Sequence, residues 1–170
     1  MKTRVLTESA YQADLLKIVF DMAGIENIQV IPRMGLTGAA TAASSILASK
    51  DERVVLAMNG DQLRPNQSVE FVREYVGENS DRFRLVLWNP EIEKLFFVDK
   101  AALESALGIK IDDLVWNIAQ TAPKSAINAL LAESKKMDIS KLLESKDLVL
   151  KMVANPGIQE IINFAQVAHA

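Results

Sequence analysis

Four carboxylates stand directly after apolar, strand-like runs. Glu8 follows "TRVLT" (3–7), Asp61 follows "RVVLAM" (53–58), and Glu91 and Glu93 follow "RFRLVLW" (82–88). In an open α/β sheet the carboxyl ends of the strands share one rim, and ligands bind there. Two or three carboxylates gathered within a few ångströms repel one another and favour a hard divalent cation such as Mg²⁺ or Mn²⁺. Such an ion can polarise a phosphoryl oxygen and supply a hydroxide nucleophile without histidine. Histidine is scarce here: His169 is the only one, and there is no cysteine. Triads, general-base histidines, thiol catalysis and His-rich metal sites therefore lack their residues, and any catalysis rests on carboxylates, metal, Lys or Ser. The plainer reading stays open at each position taken singly, because acidic residues in the first turn of a helix are favoured by its dipole. Glu91 is the most expendable of the four. Glu93 lies two residues further along an expected helix and points elsewhere, so the two are not expected to act as a pair.

A second constellation is "RMGLTGAATAASS" (33–45), in which Gly35 and Gly38 lead from a strand into a helix N-terminus. Backbone N–H groups there suit a phosphate. The stretch lacks the Gly-Lys-Ser/Thr ending of a P-loop and the spacing of a dinucleotide fingerprint. Tight turning and close helix–sheet packing explain such glycines equally well. Lys17, Arg33, Arg64 and Arg73 could contact phosphates, although solvated charge accounts for most of them. Ser9 has no histidine partner and is expected to cap the first helix, while Trp88 and Trp116 are expected in the core.

These residues need a frame. Strand-like segments at 3–7, 28–33, 53–58 and 82–88 alternate with helix-like segments at 9–24, 35–49, 68–79 and 90–97, the last with Pro90 in its first turn. Gly24 and Gly77 suit helix ends, and Leu15, Leu16, Val19, Phe20 and Ala23 share one face of the first helix. Asn59-Gly60 between alternating strands would signal a hairpin. The stretch "SVEFVREYV" that follows has a helical period, so a βα unit fits better. Such alternation predicts a mostly parallel sheet of about four strands, covered by helices on both faces. Beyond residue 100 the strand signal stops, and everything to residue 170 reads as helix, capped by Asp112 or Asp113 and by Asp138 and broken at "NPG" (155–157). The expected organisation is an α/β domain over 1–100 with a helical extension over 101–170 packed on it.

The 170 residues are 49% hydrophobic and 24% charged, which excludes wholesale disorder. A net charge of −3 is not the footprint of a protein that holds nucleic acid on a broad basic surface. It leaves room for a nuclease, since a metal ion in an acidic site supplies positive charge that a residue count misses. No apolar run reaches membrane-spanning length and the first residues lack a signal-peptide core, so a cytoplasmic location without membrane attachment is expected.

Taken in order, these pieces resemble a TOPRIM domain, the Rossmann-like fold shared by topoisomerases, bacterial primases and several small nucleases. "RVLTES" aligns with the strand that ends in the motif glutamate, which makes Glu8 its match. "VIPRMGLTGAATAA" resembles the Gly-led segment of the nuclease branches, and "VVLAMNGD" aligns with Asp-x-Asp. "WNPEIEKLFFVD" and the helical tail are similar to the branch of the overcoming-lysogenization-defect nucleases and their small stand-alone relatives, where a Glu near a fourth strand joins the metal site; Glu93 matches it. The resemblance covers about residues 3–100. It implies a Mg²⁺- or Mn²⁺-dependent phosphodiester hydrolase acting on DNA or RNA, with Glu8 as ligand or general base, Asp61 and Glu93 as metal ligands, and Gly35 and Gly38 at the phosphate.

Two positions depart from the pattern. Ser9 replaces the Gly after the motif glutamate, and Asn59 replaces the first Asp of Asp-x-Asp. An amide oxygen can coordinate Mg²⁺ but adds no charge, so Asn59 would be a weak ligand. The alternative is an inactive TOPRIM-like binding module of a phage, defence or toxin-type system, with a protein partner such as a separately encoded ATPase. A third reading is an unrelated doubly wound domain that binds a small phosphorylated ligand at Gly35.

Overall fold

The four apolar runs assemble into one sheet. A computed structural model describes residues 2–60, 65–77, 80–134 and 138–166. Strands β1 (Thr3–Thr7), β2 (Ile28–Pro32), β3 (Arg53–Asn59) and β4 (Phe83–Trp88) pair in parallel in the order β2-β1-β3-β4. Val5 sits opposite both Val30 and Val55, and Asn59 opposite Trp88. β1 and β3 are interior strands covered on both faces, which is why they carry nearly unbroken apolar runs. The chain steps outward from β1 to β2 and then returns to the other side of β1 to lay down β3 and β4. The order therefore reverses between β1 and β3, and the crevice above their carboxyl ends is the natural place for a ligand.

Helix α1 (Ala10–Met22) lies on one face of the sheet; α2 (Gly35–Ser49) and α3 (Pro65–Val76) lie on the other. The small residues Ala39, Ala40 and Ala43 bring α2 close to Leu6, Leu56 and Met58. The opposite face, built on Val5 and Val55, shares one continuous core with α1 and with the helices that follow β4. These are α4 (Lys100–Leu107), α5 (Asp113–Ile118), α6 (Pro123–Ser134), α7 (Ile139–Leu142), α8 (Lys146–Val153) and α9 (Pro156–Gln166). Helix α8 packs on α1, and α9 runs along β4. Among the described residues no helix is long and apolar enough to cross a membrane.

Helix α9 lies antiparallel to the strands and is tied at both ends. At its start Gly157 packs on the indole of buried Trp88, the last residue of β4. At its end the Phe164 carbonyl accepts from buried Arg53 Nη1 at 2.9 Å, and the Ala165 carbonyl accepts from Asn27 Nδ2 at 2.8 Å. The Arg53 and Arg84 guanidinium groups stand 5.5 and 4.8 Å from the centre of the Phe164 ring. A cation at a helix C-terminus satisfies carbonyls that have no partner within the helix and is favoured by the helix dipole.

Local signals were obeyed at most ends. Ser9, Asp112 and Asp138 cap α1, α5 and α7, and Gly24 and Gly77 follow their helices with φ of +69° and +67°. Some boundaries differ. β2 stops at Pro32, Arg82 belongs to a short 3₁₀ turn (Ser80–Arg82) before β4, and α3 already begins at Pro65. The segment after Pro90 is a 3₁₀ helix over Ile92–Phe97 instead of an α-helix from Pro90. Glu91 is still extended, and the Pro90 carbonyl accepts the Gly60 amide at 3.0 Å, so Pro90 is committed to the end of β3. Trp116 is only partly buried, edge-on to Phe97 with ring centres 5.6 Å apart, because α5 has no fully buried residue.

A Cβ on Gly157 would lie 2.7 Å from Trp88 Cζ3. Alanine would gain about 1 kcal/mol of helix propensity, but a contact of that length against a buried ring costs about 1–3 kcal/mol. Gly157→Ala is expected to lower stability in urea unfolding. In a Trp88→Leu background the same change is expected to be neutral or stabilising.

Candidate functional site

The crevice above β1 and β3 is built by backbone commitments that start at Glu8. The Glu8 carbonyl accepts the Gly35 amide at 3.1 Å, and its own amide donates to Gln12 Oε1 at 3.0 Å. Thr7 Oγ1 donates to the Ser9 carbonyl at 2.9 Å, and Ser9 Oγ accepts from the Gln12 amide at 3.3 Å. With its backbone held on both sides, Glu8 reaches across to β3, where its Oε2 accepts the Asn59 amide at 2.8 Å. The Asn59 side chain continues the chain of contacts, its Oδ1 accepting the Ile92 amide at 3.0 Å. One hydrogen-bonded path thus joins the end of β1, the end of β3 and the start of the 3₁₀ helix that carries Glu93.

Asn59-Gly60 is a strand end, not a hairpin, since β3 and β4 are parallel. The Gly60 amide donates to the carbonyls of Trp88 and Pro90 at 2.8 and 3.0 Å, and a Cβ there would lie 3.0 Å from the Trp88 oxygen. Asp61 and Arg64 lie outside the described residues. Among the described residues no group of three His, Cys, Asp or Glu converges as a metal cluster. Among the described residues Glu8 offers a hard oxygen donor suited to a divalent cation, since it is engaged through Oε2 and its Oε1 bonds to none of them.

Glu93 is buried, at 4% exposure. Glu91 behaves as a helix cap, accepting the Lys124 amide at the start of α6 at 3.2 Å. The two do share a neighbour. Tyr11, three residues beyond Glu8 on α1, has a buried hydroxyl with no hydrogen-bond partner among the described residues. Its pKa is pushed well above the ordinary 10.0, first by burial and then by the negative charges of Glu93 and Glu91. Tyr11 and Gln12 were not singled out in the sequence. The available signal was their spacing, one turn of helix after a strand-end carboxylate.

Gly35 has φ +67°, where only glycine is unstrained, and Gly38 faces open space. With Glu8, Ser9, Ala10, Pro32, Arg33 and Met34, Gly35 lines an open depression of about 780 Å³ beside the crevice. Of the other cations considered, Lys17 pairs with Asp14 at 3.3 Å on the surface, and Arg73 is exposed on α3.

The fold and the rim together define a doubly wound, Rossmann-like α/β protein with a helical C-terminal part. Its fold is similar to that of the C-terminal region of the Burkholderia pseudomallei OLD protein. The two superpose with a TM-score of 0.56 at 12% sequence identity, over 97% of this chain and 96% of that one. No family model and no curated protein matches the sequence.

The Tyr11 hydroxyl gives a test of this geometry. The unfolded chain ionises near the ordinary phenol value while the native state holds its proton, so this group leaves stability independent of pH below about pH 10 and lowers it as the pH rises beyond that. A Tyr11→Phe protein is expected to be roughly 1 kcal/mol more stable at neutral pH, because a buried, unsatisfied hydroxyl is removed. It should also lose less stability than the wild type between pH 9 and 11 in urea titrations.

Proposed function

We infer that this chain is a TOPRIM-type, Mg²⁺- or Mn²⁺-dependent phosphodiester hydrolase acting on nucleic acid, with Asn59-Gly60-Asp61 as a partly degenerate Asp-x-Asp. The observation that supports it best is Glu8, a carboxylate held at the point where strand order reverses, with one oxygen fixed by Asn59 and the other in no hydrogen bond with a described residue. The likeness to the OLD region speaks for the fold alone, and the chemistry must come from the residues. On this reading residues 1–100 are the TOPRIM-like part and 101–170 its helical extension.

The roles follow from donor chemistry. Glu8 is metal ligand or general base, and Asp61 and Glu93 are the further carboxylate ligands. Asn59 is a neutral ligand through the second lone pair of Oδ1, the first being taken by Ile92. Gly35 and Gly38 approach the phosphate. The ion, when bound, polarises the phosphoryl oxygen as a Lewis acid. Glu8, anchored through the Gly35 amide and Gln12, needs little reorganisation to face it.

A second reading is favoured by one observation. Asn59 spends an oxygen on capping the Ile92 helix, as a purely structural residue would. In that case the chain is a binding module that does not cut, working beside a partner such as an ATPase.

Calorimetric titration with Mn²⁺ separates the two. The hydrolase reading expects saturable binding by the wild type that is lost in Glu8→Ala and in Asp61→Ala. Asn59→Asp should bind about tenfold more tightly through its added charge. Metal-dependent cleavage of DNA or RNA should vanish with Glu8→Ala. No binding at millimolar Mn²⁺, or cleavage undiminished in Glu8→Ala, overturns it.

A further inference from the structure

Met34 is out of place. It is an unbranched apolar residue at 95% exposure, the most exposed large hydrophobic side chain among the described residues. Exposure of this kind often belongs to a loose loop, but Met34 stands on a held one. Its predecessor Arg33 donates its amide to the Thr7 carbonyl at 2.8 Å, and its successor Gly35 donates to the Glu8 carbonyl at 3.1 Å. Gly35 at φ +67° makes the turn that lifts Met34 from the surface. Both anchors are on the end of β1, so the loop is fixed to the same backbone that aims the Glu8 carboxylate. Arg33 beside it is exposed and enters no salt bridge with a described residue. A cation and an exposed apolar side chain thus line the same open depression as Glu8, on a molecule whose net charge of −3 offers no broad attraction to phosphates.

We propose that Arg33 and Met34 form the substrate grip of this rim, Arg33 holding a backbone phosphate of duplex nucleic acid and Met34 entering an opened base step beside the bond presented to Glu8. The proposal rests on the nucleic-acid reading above and adds a substrate feature to it. Apolar side chains used as wedges between base pairs include methionine, and they must offset the unstacking they cause. That cost is least where stacking is already broken, at a mismatch or a nick. The grip therefore prefers a duplex with a weakened step over an intact one. A single arginine adds a phosphate contact that carries no sequence information but fixes the register of the duplex on the rim.

The test is fluorescence anisotropy with labelled duplexes of one length, intact, nicked or carrying one mismatch, without divalent metal so that nothing is cut. The wild type is expected to prefer the nicked and mismatched duplexes by about tenfold, the equivalent of burying part of a methionine side chain. Met34→Ala should erase that preference while keeping the wild-type melting temperature. Arg33→Gln should weaken all three duplexes alike and reduce the slope of log affinity against log salt by about one. If both variants bind as the wild type does, or if the wild type does not discriminate, the proposal is overturned even where Mn²⁺ titration upholds the metal site. If the preference is present and depends on Met34 while Mn²⁺ fails to bind, the grip stands and the hydrolase reading alone is lost.

Discussion

A carboxylate that accepts a backbone amide from the next strand is the contact around which the rim is organised. Glu8 does not merely point into solvent at the end of β1; its Oε2 holds Asn59, and through Asn59 the start of the 3₁₀ helix. A charge-assisted hydrogen bond of this kind is stronger than one between neutral groups. It also sets geometry, because the ends of β1 and β3 are fixed relative to each other by a side chain as well as by the sheet ladder. The reversal of strand order makes a crevice, and this bond decides what faces into it.

That arrangement reconciles two demands on Asn59. A residue in the Asp position of an Asp-x-Asp pair would add charge next to Glu8, and two adjacent carboxylates need a cation to be comfortable. An asparagine keeps the cap on Ile92 and removes the repulsion. With asparagine at this position, the described part of the rim carries one negative charge fewer beside Glu8 than an aspartate would bring. Tyr11 is under a related pressure, its hydroxyl keeping its proton first because it is buried and then because of the negative charges of Glu93 and Glu91.

Much of this was readable in the residues. β1 and β3 announced themselves because interior parallel strands must be apolar on both faces, and the caps at Ser9, Asp112 and Asp138 because their chemistry is local. Glu8 at a strand end followed from those two facts. The 3₁₀ helix after Pro90 could not be read the same way. "IEKLFF" satisfies several helical periods over six residues, and the choice is made by Gly60 and Asn59, some thirty positions earlier in the chain. The partial exposure of Trp116 and the neighbourhood of Glu91, Glu93 and Tyr11 likewise depend on how the later helices settle. Asp61, the carboxylate on which the reading of the strand ends most depended, lies outside the described residues.

Helix α9 has a consequence for how the molecule is made. Arg53 opens β3 and is buried, yet the carbonyl that its Nη1 reaches is that of Phe164, more than a hundred residues later. Until α9 is synthesised, Arg53 at the start of β3 and the Trp88 indole at the end of β4 lack the helix that covers them. Domains generally fold as units during translation, and contacts between distant residues are the slowest to form. The sheet with its covering helices is therefore not a finished object when β4 leaves the ribosome. It waits for α9, and in that interval the face later covered by that helix is open to chaperones and to other nascent chains.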